Sequence, residues 1–341
     1  LDMAYKVSGT VSIKDDQTVI FETITATTRR STFGGFGANA THGYVAGGLP
    51  PFAYSNVIEK YSFASDANAT DVGNLTENKY GTSGQSSSAH GYASGGSLKS
   101  PPAPAGQTNV IEKWSFSSDG NASDVGDLLA TNTSGTGQSS TTNGYHSGGY
   151  SAASSPTSSN VIQNWSFSSD GNASDVGDLT QGRNQIPAGQ SSDANGYTSA
   201  GQALIPPYSN TNTIDKFPFS SNANATDVGD ITQGKYLVTG QSSADHGYTS
   251  GGFAPTLPSP YSNVIDKFSF SSDGNATDVG DLTVARNGIA GSSSGSFGYN
   301  AGGSEPYNTD VIEKFPFASD ANSADAADLT VNQRRRSGTQ G

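Results

Sequence analysis

The chain has no cysteine among its 341 residues, which removes disulfides, thiolate metal sites and cysteine nucleophiles together and leaves packing and β-ladders to hold the fold. The missing thiols do not fix a compartment. Charge is scarce at 14% of residues, and it is lopsided, with 30 acids against 17 bases for a formal net charge of −13. A chain so acidic repels a phosphate backbone, so nucleic acid is not expected as a partner. No run of 18 apolar residues occurs, so no membrane span is expected, and the first residues carry no signal-peptide pattern. Hydrophobic residues make up only 32%. Low-complexity disorder is the reading that figure invites, unless the apolar residues recur in register.

They do recur. Gly-Tyr pairs begin at Gly43, Gly91, Gly144, Gly196, Gly247 and Gly298, giving six copies of a unit 48 to 53 residues long. A period of this size points to a propeller, a solenoid or an array. Each unit has four short segments: a small-residue run such as 82–88, the GYxxGG stretch, a run like VIEKYSF at 57–63, and one like TDVGNLT at 70–76. Between the last two lies SDAN or SDGN, whose Asp, Gly and Asn favour a tight reversal. Alternation in the third segment puts Val57, Glu59, Tyr61 and Phe63 on one side and Ile58, Lys60 and Ser62 on the other, as a strand requires. Tyr61 recurs as Trp114, Trp165, Phe217, Phe268 and Phe315, and Phe63 as Phe116, Phe167, Phe219, Phe270 and Phe317. Two aromatics per unit on one face suit the filling between neighbouring sheets. No stretch sustains a 3.6-residue apolar period, so almost no helix is expected. Four strands cannot bury their faces alone, whereas six such units stacked radially can. The innermost strands would then crowd together, and GQSS at Gly84, Gly137, Gly189 and Gly240, varied to GSSS at Gly291, supplies small residues there.

A double glycine ending one strand, a VIEKY-like strand and a later basic residue together resemble the kelch repeat, over roughly residues 30–330. The resemblance implies an all-β fold: a β-propeller of four-stranded antiparallel blades, six-bladed, or seven-bladed if another segment completes a blade. It departs from the family pattern where Val72, Val125, Val176, Val228 and Val279 stand near the usual fourth-strand Trp, and where Ala200-Gly201 replaces Gly-Gly. The resemblance also implies ion pairs within blades, between Glu59, Glu112, Asp215, Asp266 or Glu313 and Lys79, Arg183, Lys235 or Arg286.

Residues 1–30 stand outside the repeat. Tyr5 to Ile13 and Thr18 to Ala26 read as a β-hairpin, serving either as an arm that attaches the chain to other structural proteins of a larger assembly or as a strand that closes the ring. Residues 331–341 read as a C-terminal tail resembling the start of another inner strand, so that either the ring closes by mixing the two ends or the chain is part of a longer array. The loops between second and third segments vary in length, and in an up-and-down blade they emerge on one face. Their large side chains, Phe52, Tyr54, Lys99, Tyr150, Tyr208, Phe253, Tyr261 and Tyr307, are the candidate partner-binding residues, since proline-stiffened loops with aromatics lose little entropy on contact. Plain loop variation is the alternative.

Catalytic residues do not stand out. Of seven arginines, five lie at Arg29, Arg30 and Arg334 to Arg336, away from where a sialidase-like site would want them, and no Ser/His/Asp arrangement differs from repeat filler. Asp119, Asn121 and Asp124 faintly resemble a calcium loop, without its glycine and terminal Glu. The Asn-Ala-Ser/Thr triplets at Asn68, Asn121, Asn172, Asn224 and Asn275 are formal glycan acceptors that turn chemistry explains equally. His42, His90 and His246 fall in different units, too far apart for one metal. No cofactor is expected beyond a calcium ion. The reading that follows is a non-enzymatic structural or adhesive module on a virion or extracellular surface, binding a partner or host-surface glycan through one loop face, with homo-oligomerisation open. Near-identical repeats, acidity and the N-terminal arm resemble fibre or decoration proteins of marine bacteriophages. An intracellular kelch-type protein–protein scaffold and a glycan-processing enzyme are the alternatives.

Overall fold

Each repeat folds into an antiparallel sheet because its turns permit nothing longer. In one copy the strands Thr136–Ser139, Asn143–Ser147, Val161–Ser166 and Ser174–Asp178 lie side by side in chain order. A bulge falls between Ile162 and Gln163 in the pairing with the last strand, which adds local twist. The computed structural model describes strands Val11–Ile13 and Val19–Phe21, and residues 40–50, 53–98, 106–152, 157–203, 209–255 and 259–341. Among these residues there is no helix, and six four-stranded antiparallel sheets occur in a propeller-like arrangement.

Five of the sheets take their four strands in chain order. The remaining one pairs His42–Gly48 with Ser337–Gln340, aligning Gly43 with Gln340 and Ala46 with Ser337. Of the readings for 331–341, the mixing of the two ends is the one observed: Ser337–Gln340 supplies the innermost strand of the sheet completed by Ser55–Ser62 and Thr70–Asn74, and the segment is not an appended tail. Val19–Phe21 pairs with Val11–Ile13 in a separate unit spanning Leu1–Phe33.

The innermost strands form a closed cycle. The Ser86 N–H donates to Ser139 Oγ at 3.0 Å, Ser139 to Ser191 at 3.1 Å, Ser191 to Ser242 and Ser242 to Ser293 at 3.0 Å each, Ser293 to Gln340 Oε1 at 3.3 Å, and Gln340 back to Ser86 at 3.1 Å. Backbones approach so closely that a Cβ on Gly240 would lie 2.2 Å from the Gly189 carbonyl oxygen, and one on Gly338 would lie 2.0 Å from that of Gly291. Just before each inner strand a second belt runs through backbone groups alone. Gly81 donates to Arg335 at 3.0 Å, Ser134 to Gly81 at 2.8 Å, Ile186 to Ser134 at 2.9 Å, Leu237 to Gln185 at 2.8 Å, Gly288 to Leu237 at 2.9 Å and Arg335 to Gly288 at 2.7 Å. Every donor in this belt has a left-handed backbone, with φ between 55° and 67°, a conformation that costs a side-chain-bearing residue about 1–2 kcal/mol.

Between neighbouring sheets the apolar filling is layered. Ile58 packs toward the next sheet with Tyr44, Leu75 and Trp114, while Tyr61 packs toward the preceding one with Tyr299 and Ile312. The tyrosine of each Gly-Tyr pair is the platform for the following sheet's aromatics. Phe116 lies 4.9 Å from Tyr44, Phe167 4.8 Å from Tyr92, Phe270 4.9 Å from Tyr197 and Phe63 4.4 Å from Tyr299. Each such pair contributes about 0.5–1.5 kcal/mol beyond the area it buries.

The two belts predict substitutions of opposite sign. Gly240→Ala drives a methyl into the Gly189 carbonyl and should cost about 3 kcal/mol, whereas Ser134→Gly relieves a left-handed residue and should gain about 1 kcal/mol. Urea melts of both variants check this. Equal and small effects would mean the inner strands are not held at this spacing.

Candidate binding face

The loops between second and third strands lie beside the segments leading into the inner strands, because short backbone bridges tie the two together. Leu49 bridges Arg334, Tyr150 bridges Thr133, Gln202 bridges Asn184, Phe253 bridges Tyr236 and Ser304 bridges Asn287. In the remaining junction Tyr80 pairs with Ser97. One face thus combines the variable loops with the lead-in residues, and the opposite face carries the SDGN-type turns.

Of the eight candidate contact residues, Phe52, Lys99 and Tyr208 lie outside the described residues. Tyr54 packs edge-on against Tyr80 with ring centroids 4.8 Å apart. Phe253 sits between Tyr236 and Tyr261, 5.4 Å from each. Tyr150 is half-buried, its carbonyl accepting from Gln107 Nε2 at 3.0 Å. Tyr307 differs: its side chain is 83% exposed. It borders a cleft of about 330 Å³ lined also by Leu49, Asn308, Asn332 and Arg334. Inspection of the loops alone misses Tyr80, Tyr236, Arg334 and Arg335, which belong to the lead-ins. Arg335 lies 5.8 Å from the Tyr80 ring, and burial lowers its guanidinium below the usual arginine range. The Arg334–Arg336 run was the signal for them, but it reads as terminal until the last strand is placed in the ring.

The third-strand acids are buried and paired. Glu112 meets Lys79 at 2.6 Å, Asp215 meets Arg183 at 2.5 Å, Asp266 meets Lys235 at 2.9 Å and Glu313 meets Arg286 at 2.9 Å. Glu59 is held by Arg336, because Gln333 occupies the position five before the inner-strand glycine where Lys79 and Arg286 stand. Each acid also accepts the N–H that follows the preceding sheet's last strand, as Asp215 does from Thr180 at 3.1 Å, so it fixes the lead-in on both sides. The sheet containing Val161–Ser166 does the same without charge: Gln163 Oε1 accepts from Leu129 at 2.8 Å, and Asn132 Nδ2 donates to the Gly148 carbonyl at 3.0 Å.

The calcium candidates have separate partners. Asp119 pairs with Lys60 at 3.1 Å, Asn121 Oδ1 accepts from the Asn74 N–H at 3.0 Å and Asp124 Oδ1 from Gly126 at 3.1 Å. The same sheet-to-sheet bond recurs at Asn68, Asn172, Asn224 and Asn275, which is what asparagine does in the Asn-Ala-Ser/Thr triplets. Among the described residues no cluster of three or more acids or histidines could hold a metal. His42 Nδ1 lies 2.8 Å from Thr41 Oγ1, and burial followed by nearby lysine charge lowers His42, His90 and His246.

Two measurements probe these buried groups. Glu112→Gln strands the Lys79 ammonium and should cost about 3–5 kcal/mol. Adding Lys79→Asn copies the neutral Asn132/Gln163 arrangement and should recover most of the loss. A double variant no more stable than the single one would show that the charge pairing is not what matters. His146 is fully buried with Nδ1 3.1 Å from Ser94 Oγ, and burial brings it down to about 4 from 6.5. Between those values the unfolded chain binds a proton the folded chain refuses. Stability from this group is complete above pH 6.5 and falls by about 3 kcal/mol as pH drops to 4. His146→Thr, the residue found at Thr198 and Thr249, should flatten that part of the profile relative to the parent chain.

Comparison with protein-family models and with curated proteins found no match.

Proposed function

We propose that this chain is a six-bladed, kelch-like β-propeller that acts as a non-enzymatic structural or adhesive module. It is displayed on the outside of a larger assembly such as a virion, and it recognises a partner or surface glycan through the face bearing the second-to-third-strand loops. The observation that carries this reading is the division of labour between the two faces. Turns of the SDGN type are near copies of one another and spend their Asp and Asn side chains on bonds to neighbouring sheets. The loop face differs at every junction and keeps an exposed tyrosine beside an arginine at a cleft of about 330 Å³. The buried acids support a binding role over a hydrolytic one, since each is tied to a base or a lead-in amide. Residues 1–30 are the segment proposed to reach other proteins of the assembly.

Antibodies raised separately against the 304–310 loop and against an SDGN turn test the assignment. On native particles the loop antibody should label the exterior and block attachment to a target surface, while the turn antibody should not block. Labelling confined to a soluble intracellular protein complex would contradict the reading.

A further inference from the structure

The six lead-in segments share one backbone path but not one side chain. Four residues before the inner-strand glycine stand Tyr80, Thr133, Tyr236, Asn287 and Arg334 in five of the sheets, and the bridging residue in the sixth is Asn184. Only one of these is charged. Arg334 is anchored by its own backbone, with the Leu49 N–H donating to its carbonyl at 2.8 Å. Its guanidinium makes no ion pair and no side-chain hydrogen bond among the described residues, and its Nε is buried without a partner. Arg183, Arg286, Arg335 and Arg336 leave Nε unpartnered too, and Arg335 forms no ion pair among the described residues; Arg334 differs from Arg335 in its place, on a cleft rather than over the Tyr80 ring. Formal net charge is −13, and Lys79, Arg183, Lys235, Arg286 and Arg336 each meet a carboxylate. A buried N–H left unpaired costs about 1–3 kcal/mol, which an incoming acceptor would recover.

The surroundings narrow what that acceptor is. Arg334 opens on the cleft of about 330 Å³ whose other walls include Tyr307, Asn308, Asn332, Leu49 and Pro306. Its volume lies in the range of small-ligand sites. Asn308 spends Nδ2 on the Leu49 carbonyl at 2.9 Å, leaving Oδ1 as an acceptor, and Asn332 is exposed and carries both an acceptor, Oδ1, and a donor, Nδ2. Tyr307 offers a flat apolar face with a hydroxyl at its end. Glu305, in the same hairpin, does not line the cleft and forms no ion pair among the described residues. Ser304–Glu305 pairs with Tyr307–Asn308, and Leu49 with Arg334, so the cleft is walled by paired backbone on two sides.

We propose that this cleft binds a carboxylate-bearing saccharide: the planar guanidinium of Arg334 takes the carboxylate, the Tyr307 ring supports a sugar face, and Asn308 and Asn332 meet hydroxyls. The fork geometry of arginine suits a carboxylate better than any other residue does. The inference rests on the loop-face reading above and narrows it to one site and one ligand class.

Calorimetric titration of the full chain with a panel of uronic-acid oligosaccharides, and with methyl esters of the same oligosaccharides, tests it. The free acids should bind at least tenfold more tightly than their esters. Arg334→Gln should erase that difference, Arg334→Lys should keep part of it, and Tyr307→Ala should weaken acids and esters alike. Tyr307→Ala should melt at the parent temperature, since that side chain is exposed, and the two Arg334 variants should melt no lower than the parent, since they remove a buried N–H that has no partner. Acids and esters binding equally, with Arg334→Gln without effect, would overturn this site while leaving glycan recognition elsewhere on the face intact. No saccharide binding at all, or Arg334-dependent binding of an aspartate-rich peptide instead, would overturn the ligand class. The loop antibody's block of attachment would then still stand or fall separately.

Discussion

Six backbones meeting within van der Waals contact is the constraint from which the rest of this structure follows. Where the carbonyl of one inner strand occupies the space of the next strand's Cβ, as at Gly84, Gly137, Gly189 and Gly240, only hydrogen fits, and the sheets splay outward as wedges. Polar atoms near that hub are out of reach of bulk water, so each needs an internal partner. Gln138 Nε2 reaches the Tyr197 carbonyl at 2.9 Å and Thr198 Oγ1 at 2.8 Å, and Gln190 makes the matching bonds to Tyr248 and Thr249 at 2.8 and 3.0 Å. Two small spaces near the axis, of about 60 and 70 Å³, have room for about two waters each. Farther out the wedges widen, and the side chains grow from Ser and Gln to Ile and Tyr and then to the paired aromatics.

The same geometry explains where charge is used. Each lead-in must turn left-handed to enter the hub, and the third-strand acid pins it there through a base and an amide hydrogen. That role needs hydrogen bonds more than it needs charge, since Gln163 and Asn132 fill it neutrally; the separate Lys–Asp pairs at the turns are likewise replaced at one junction, by Asn164 and Asn222. What the scaffold leaves unconstrained are the second-to-third-strand loops and the residue four before the inner-strand glycine. Arg334 is where those two freedoms coincide with a cleft and a guanidinium that forms no ion pair among the described residues.

Much of this was legible in the sequence. The period, the four segments and the aromatic filling follow from residues that recur in register, and the acid–base pairs followed from the kelch resemblance. The closing strand was harder to read, because Ser337–Gln340 replaces the GQSS signature with GTQ and lies about 300 residues from its partner. Its Gln340 still completes the belt, since a longer side chain brings an acceptor to the place of the serine hydroxyl. The role of the Gly-Tyr tyrosine was hidden for another reason: alternation assigns faces within a strand and says nothing of which residue on the next sheet receives a ring. The left-handed lead-ins carry no shared residue type, with Gly81, Ser134, Ile186, Leu237, Gly288 and Arg335 in equivalent places, so tertiary closure imposes that conformation over local preference. The loop aromatics were identifiable, yet Tyr54 and Phe253 pack on lead-in tyrosines and Tyr307 stays open, a distinction set by what lies opposite each.

The central claim is that both ends of the repeat array meet in one sheet and share one hub. Amide hydrogen exchange resolved at Gly338 and Gln340 tests it most directly, by comparison with Gly189 and Ser191 in the interior of the array. The account predicts equal protection at the two places, lost together only when the whole ring unfolds. Rapid exchange at Gly338 and Gln340 under conditions where Gly189 and Ser191 stay protected would contradict it.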